Sequence, residues 1–205
     1  MNEKPILFNA EMVQAILSGR KTQTRRIISE KTLHLFDVAA SAGECHPLEL
    51  CDERSQSYYL EFCPLGKPGD QLWVREAFAT GLCTESTLAY RATHKTEDLE
   101  EGWGETIKWT PSIHMPRWAS RINLLITGVR VERLNDISEQ DAISEGLECY
   151  VDDGVPYYGP FNNGDCRPDV VFRGLWDSIY GHKEDENWQA NPWVWVIEFE
   201  RMEAK

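Results

Sequence analysis

Basic residues are scarce in this 205-residue sequence. Lys and Arg together number 21 and Asp and Glu together 34, so the formal net charge at pH 7 is −13. A protein that coats duplex DNA needs many cations to neutralise phosphates, and the overall field of this chain repels a polyanion. The charge therefore argues against a duplex-coating function, although it leaves room for a local basic pocket that binds one nucleotide or a short RNA.

Long apolar runs are missing as well. Residues 1–8 lack the basic stretch followed by an apolar run that a signal peptide requires, and apolar runs such as 193–197 are too short to span a bilayer. We therefore expect a soluble, cytoplasmic protein with no membrane partner.

Common cofactor and hydrolase motifs are absent: the chain has no G-x-G-x-x-G, no P-loop and no G-x-S-x-G. Its six cysteines include no C-x-x-C pair, and the spacing of Cys45, His46, Cys51 and Cys63 fits no zinc ribbon or finger. We predict free thiols, no metal and no cofactor.

The sequence does hold enough apolar residues for a sizeable core, with 41% hydrophobic and 11% aromatic residues, including eight Trp. No repeat is present, and the length favours one domain over residues 1–205. Periodicity and capping residues predict strands at 5–8, 71–78, 90–92, 122–134 (with a bulge at Gly128) and 193–201, and helices at 10–18, 139–145 and 168–180.

Three stretches are expected to lack regular structure. They are an insertion at about 29–62 with a hairpin at 57–62, an acidic loop at 97–105, and a loop insertion at about 150–168. The order of the predicted elements is not a βαβ alternation. It indicates an α+β domain built on a small, mostly antiparallel barrel or curved sheet with flanking helices.

One basic segment stands out from the acidic chain: Arg20, Lys21, Arg25 and Arg26 lie within seven residues. Their mutual repulsion lowers the cost of deprotonating Lys21, so that it can serve as a base for the Thr24 hydroxyl. The competing interpretation is a solvated basic helix terminus, where cations suit the negative end of the helix dipole.

The stretch Gly19-x-Lys21-x-x-Thr24-x-Arg26 resembles the G-x-K-x-x-E-x-R signature of the ASCH domain, a PUA-like β-barrel family, with Thr24 in place of the usual glutamate. The same replacement occurs in bacterial ASCH amidohydrolases that deacylate N4-acetylcytidine. The resemblance implies Lys21 as proton acceptor, Thr24 as nucleophile and a later glutamate as proton donor. Glu145 occupies the matching place, and Glu139 on the same helix is the fallback.

Residues 68–76, 114–121 and 191–197 resemble the longer ASCH-type proteins of phages and prophages. The resemblance covers most of the chain and implies a PUA-like barrel that carries loop insertions at about 29–62 and 150–168. The residues that we expect to contact substrate are Arg26, Glu76, Arg117, Trp118 and Arg121. Of these, Glu76 has an equal alternative as the partner of a nearby arginine, and Trp118 as core filler.

Two functions follow. The first is an amidohydrolase that removes acyl groups from N4-acylated cytosine nucleosides, with Lys21, Thr24 and Glu145 at its centre. The alternative is a non-catalytic protein that binds short single-stranded RNA or a modified nucleobase, with the basic segment holding phosphates.

Overall fold

The computed structural model describes residues 2–50, 52–81, 87–103, 106–160 and 164–203. In chain order its elements are β1 (Glu3–Leu7), α1 (Ala10–Leu17), β2 (Gln23–Ile27), α2 (Glu30–Ser41), α3 (Glu53–Leu60), β3 (Gln71–Arg75), β4 (Phe78–Thr80), β5 (Leu88–Tyr90), α4 (Thr96–Trp103), β6 (Asn123–Arg133), α5 (Glu139–Ser144), β7 (Cys149–Asp152), β8 (Val155–Tyr158), α6 (Pro168–Tyr180) and β9 (Trp193–Arg201). No helix in the described part of the chain has the length and apolar character needed to cross a membrane.

The central feature is a five-stranded sheet with the order β1-β3-β6-β9-β2. β1 pairs with β3 in parallel, and the other three pairings are antiparallel. The predicted bulge in β6 is confirmed, because the register shifts between Ile126 and Gly128. A Cβ at Gly128 would lie 2.6 Å from Oε2 of Glu198, so glycine lets the two strands approach at this point.

The expectation of a mixed α and β fold is confirmed, but backbone pairing among the described residues does not close the sheet into a barrel: β1 and β2 remain its edges. A side chain joins the two edges instead. Arg26 on β2 donates a hydrogen bond from Nη2 to the carbonyl of Leu7 at the end of β1, at 2.9 Å. The sheet is therefore curved strongly enough for its two edges to meet at the residues where the functional site lies.

β9 lies between β6 and β2 and is buried on both faces. Trp195, Ile197 and Phe199 belong to the main core with residues of β3 and β6, as the alternation of the strand predicted. Val194 and Val196 point to the other face and pack in a second core with Phe172 and Trp176 of α6. Helix α6 thus covers the face of the sheet on which Arg25 of β2 lies.

The expected irregular insertion at 29–62 is wrong in its local structure, and so is the hairpin at 57–62. The segment forms α2 and α3, and the Ser29 side chain caps α2 by accepting from the Thr32 amide. Phe36 of α2 packs against Tyr59 of α3 with ring centroids 4.7 Å apart and against Trp195 of β9 at 6.2 Å. A few large apolar residues at helical spacing are therefore enough to stabilise α2 and α3, because these residues pack against the core of the sheet.

Three further expectations need correction. The strand predicted over 71–78 stops at Arg75, and β4 starts only at Phe78. The acidic stretch from residue 96 to 103, expected as a loop, forms the helix α4. The expected loop at 150–168 contains the hairpin of β7 and β8. The other long elements match their predictions. α1 is capped by Asn9 and α5 by Ser138, each of which accepts from the amide three residues on.

The packing of α2 predicts that Phe36→Ala lowers the free energy of unfolding by about 3–5 kcal/mol, as for a large aromatic removed from a packed core. Phe36 is 2% exposed, whereas its neighbour Leu35 is 43% exposed on the same helix. Leu35→Ala is therefore the matched control and should change stability little. Urea unfolding of both variants checks this, and equal losses would contradict the packing described here.

Candidate functional site

The segment between α1 and β2 is placed by backbone contacts with α5. Gly19 has a φ of +78° and ends α1, after which the Lys21 amide donates to the carbonyl of Ala15 and the Thr22 amide to that of Ser144. Lys21 also forms a β-bridge with Glu145. A Cβ at Gly146, whose φ is +98°, would lie 2.7 Å from the Cβ of Lys21, so this glycine permits the close approach of the two segments.

Lys21 and Glu145 form a buried ion pair. Nζ of Lys21 donates to Oε2 of Glu145 and to the Glu145 backbone carbonyl, both at 2.7 Å, and the two side chains are 1% and 4% exposed. Burial lowers the pKa of the Lys21 amine below its usual value, and the charges of Arg26 and Arg25 lower it further against the opposing attraction of Glu145. The predicted base is therefore easier to deprotonate than a free lysine, mainly because of burial rather than the repulsion that the sequence suggested.

Arg25 holds the other oxygen of Glu145. Its Nη1 donates to Oε1 of Glu145 at 3.1 Å and its Nη2 to Glu132 at 2.5 Å, and its side chain has no exposed surface. Arg130 on β6 then ties Glu132 to Asp141 and Glu198 by contacts of 2.6–3.0 Å. Because Arg25 and Glu145 are both paired, they can be buried between the sheet and α5 at a tolerable cost in desolvation, while Arg130, Glu132, Asp141 and Glu198 stay partly exposed.

Thr24 lies on β2 with its residue 1% exposed. It lines a cavity of about 420 Å³, together with Glu145, Arg25 and Arg26. No hydrogen-bond partner for its hydroxyl exists among the described residues. A hydroxyl that has no protein partner and belongs to a cavity wall is free to engage a ligand.

The remaining walls of this cavity are mostly apolar. They come from the start of α1, the end of β1 and one face of α6, and they comprise Leu7, Phe8, Asn9, Met12, Ser112, Phe172, Leu175, Trp176, Ile179 and Tyr180. Trp176 and Tyr180 lie with ring centroids 4.5 Å apart. A volume of this size, lined by apolar groups with few polar ones, is typical of a site for a small molecule.

A second cavity of about 880 Å³ adjoins the first one, since Glu145, Asn9, Met12 and Leu175 border both. Its lining is more acidic and includes Glu11, Glu148 and Asp165, while Arg20 is the cation on this side. Glu145 therefore lies where the two cavities meet.

The four cations of the basic segment have different surroundings. Lys21 and Arg25 are buried in ion pairs, and Arg20 contacts Glu148 at 3.6 Å and donates to the Gly146 carbonyl. Arg26 stacks over the ring of Phe8 with its Cζ 5.3 Å from the centroid, and it has no carboxylate partner among the described residues. Arg26 is thus the cation of this segment that remains available to a ligand in the first cavity.

The other predicted contact residues line neither cavity. Glu76 is buried in a two-bonded ion pair with Arg121, at 2.8 and 3.0 Å, which is the ion-pair alternative of the sequence analysis, and Arg121 stacks over Tyr90. Arg117 pairs with Glu3, and Trp118 is 68% exposed rather than core filler. Glu139, the fallback donor, lies exposed at the start of α5.

Sequence reasoning missed the carboxylates that surround Arg25. Glu132 and Arg130 alternate with the apolar Val129 and Val131 on β6, a pattern that places two opposite charges on one face of a central strand. That pattern is the signal that could have indicated a buried ion-pair network. No three metal-ligating side chains cluster in the described part of the chain, and Cys51 and Cys83 lie outside it.

Comparison with known proteins gives one distant likeness. No family model and no curated protein matches the chain. Among solved structures, the ASCH domain from Lactobacillus crispatus JV V101 is similar, with 13% identity over 98% of this chain and 79% of that one and a TM-score of 0.42. At this level of similarity no residue role is transferred from it.

The buried pair predicts that Glu145→Gln lowers the free energy of unfolding by about 3–5 kcal/mol near neutral pH, because Lys21 and Arg25 lose a buried counter-charge. The loss should shrink at alkaline pH, where the Lys21 amine becomes neutral and its burial is no longer penalised. Glu139→Gln, on the exposed end of the same helix, serves as the control in urea unfolding. An equal effect of the two substitutions would contradict the pairing.

Proposed function

We propose that the chain is an ASCH-type amidohydrolase that removes acyl groups from N4-acylated cytosine nucleosides. One observation carries the proposal. Thr24, whose hydroxyl has no partner among the described residues, lines a mostly apolar cavity that Glu145 also borders, and Glu145 is hydrogen-bonded to the buried Lys21. A hydroxyl and a carboxylate at one cavity, with a buried amine bound to the carboxylate, supply the nucleophile, acid and base that acyl transfer requires.

In the proposed reaction the Thr24 oxygen attacks the carbonyl carbon of the amide while Lys21 takes its proton. Glu145 gives a proton to the exocyclic nitrogen as the C–N bond breaks, and the amine leaves. Water then attacks the acyl-Thr24 ester, which releases the carboxylic acid and restores the hydroxyl. Arg26, the available cation at the cavity, would stabilise the negative oxygen of the tetrahedral intermediates.

The ion pair at rest explains how one lysine and one glutamate can act as base and acid together. At rest the proton lies on Nζ of Lys21, which donates to Oε2 of Glu145 at 2.7 Å. Its transfer to Glu145 would leave a neutral Lys21 that can accept a proton and a Glu145 that can donate one. Burial lowers the pKa of Lys21 and so lowers the cost of this transfer.

The cavity walls suit a flat, uncharged ligand. Trp176 and Tyr180 of α6 offer aromatic surface for a pyrimidine or an acyl group, whereas the sequence had suggested Trp118 as the aromatic residue in contact with substrate. No observation favours the alternative of an RNA-binding protein to the same degree. Three of the four cations in the basic segment already contact carboxylates, so the segment has little charge left for a phosphate backbone.

Thr24→Ala should lower the rate of N4-acetylcytidine hydrolysis by at least about 10³-fold, because the attacking oxygen is gone. Thr22→Ala is the matched control, since Thr22 is exposed and lies two residues earlier. Chromatography of released cytidine measures both variants. Lack of activity in the wild type, or full activity of Thr24→Ala, would refute the proposal. Salt-dependent binding of short RNA that is lost in Arg26→Ala would support the alternative of an RNA-binding protein.

The proton transfer between Lys21 and Glu145 predicts a bell-shaped dependence of kcat/KM on pH. At low pH both groups are protonated and Lys21 cannot accept; at high pH the pair holds no proton and Glu145 cannot donate. Because the pKa of Lys21 is lowered, the alkaline limb should fall at a pH below 10.5, the ordinary value for a lysine. Lys21→Arg, which stays charged, should be inactive at every pH. A rate that still rises beyond that pH would contradict the proton-transfer mechanism.

A further inference from the structure

Glu145 is held by a different cation at each carboxylate oxygen. Lys21 contacts Oε2 at 2.7 Å, and Arg25 contacts Oε1 at 3.1 Å. The proposed mechanism uses the first contact and leaves the second without a role. Arg25 nevertheless lies on the strand that carries Thr24, one residue further on, and borders the same cavity.

We propose that Arg25 is a positioning residue that fixes the Glu145 carboxylate so that its transferable proton is carried on Oε2, facing Lys21. This inference rests on the proposed amidohydrolase function. A guanidinium has five N–H donors, no acceptor and a permanent charge. An oxygen that faces such a donor can only accept, so the Oε1 contact leaves Oε2 as the oxygen that exchanges a proton with Nζ.

Arg25 can impose this orientation because it is itself immobile. Nε and Nη2 both donate to Oε1 of Glu132, at 3.1 and 2.5 Å, and Nη1 also donates to Oε1 of Gln23 at 2.8 Å. Its Cζ lies 5.7 Å from the ring centroid of Phe172, and the side chain has no exposed surface. Fully used donors in a rigid fork hold the group that they contact within a narrow range of positions.

The same contacts limit the electrostatic effect of Arg25 on Glu145. Its charge is opposed by Glu132 and by Asp141 at 3.5 Å, so the arginine does not stand as an isolated cation beside the proposed acid. Orientation is therefore its main contribution. A loss of orientation at a catalytic group lowers the rate of the chemical step more than it weakens substrate binding.

Arg130 provides a matched control for the role of Arg25. It belongs to the same network and contacts Glu132, Asp141 and Glu198, but it makes no contact with Glu145. Replacing either arginine disturbs Glu132 and Asp141, which both arginines contact, whereas only the replacement of Arg25 removes the hold on Oε1 of Glu145. A merely structural role would make the two substitutions equivalent.

The experiment compares Arg25→Lys with Arg130→Lys in the full chain. Two properties are measured: kcat and KM for N4-acetylcytidine, and the ¹H–¹⁵N signal of the Lys21 side-chain ammonium, identified by its loss in Lys21→Arg. Arg25→Lys should lower kcat about 10²-fold with KM unchanged, and it should broaden or remove the Lys21 signal because Glu145 is no longer held. Arg130→Lys should preserve both.

If Arg25→Lys does not fold, the double variant R25Q/E132Q is used instead, because it replaces both members of the Arg25–Glu132 ion pair by neutral amides. It is compared with the single variant E132Q, so that the two proteins differ only in the loss of Arg25. Equal losses in the Arg25 and Arg130 variants, or an unchanged Lys21 signal after replacement of Arg25, would overturn the inference. If the wild type does not hydrolyse the nucleoside, the proposed function fails, and the Lys21 signal alone decides whether Arg25 positions Glu145.

Discussion

The buried ion pair between Lys21 and Glu145 is the interaction on which the site depends. It joins the segment before β2 to the end of α5, and Arg25 extends it through Glu132 to β6. A charge in this position without its partner would cost several kcal/mol. The pair therefore fixes where α5 ends relative to the sheet, and with it the cavity wall that Glu145 forms.

The charged side chains at the centre of the network are shielded from solvent. Helix α6 covers one face of β9 and β2, and its Phe172 lies over the guanidinium of Arg25, which has no exposed surface. In such surroundings electrostatic interactions are stronger than in water. The unpartnered hydroxyl of Thr24 lies at the boundary between this network and the apolar cavity.

The extent to which the sequence predicts this protein differs between elements. Helices α1 and α5 carried their capping residues, and β9 carried its alternation, so their bounds were predicted closely. Helices α2 and α3 were missed because their own periodicity is weak and Phe36 and Tyr59 are stabilised by partners distant in sequence. The substrate contacts expected of Glu76 and Trp118 depended on which face each residue takes, which local pattern does not settle.

By itself the sequence determined that Lys21 and Thr24 lie beside a helix end and that Glu145 ends a later short helix, because capping and glycine signals are local. Only the tertiary structure decided that Glu145 meets Lys21 across 124 residues and that Arg25 is buried beside them. Such contacts arise from the pairing of β2 with β9 and from the packing of α5 and α6 over them. Because these contacts result from long-range packing, the spacing of residues along the chain does not predict them.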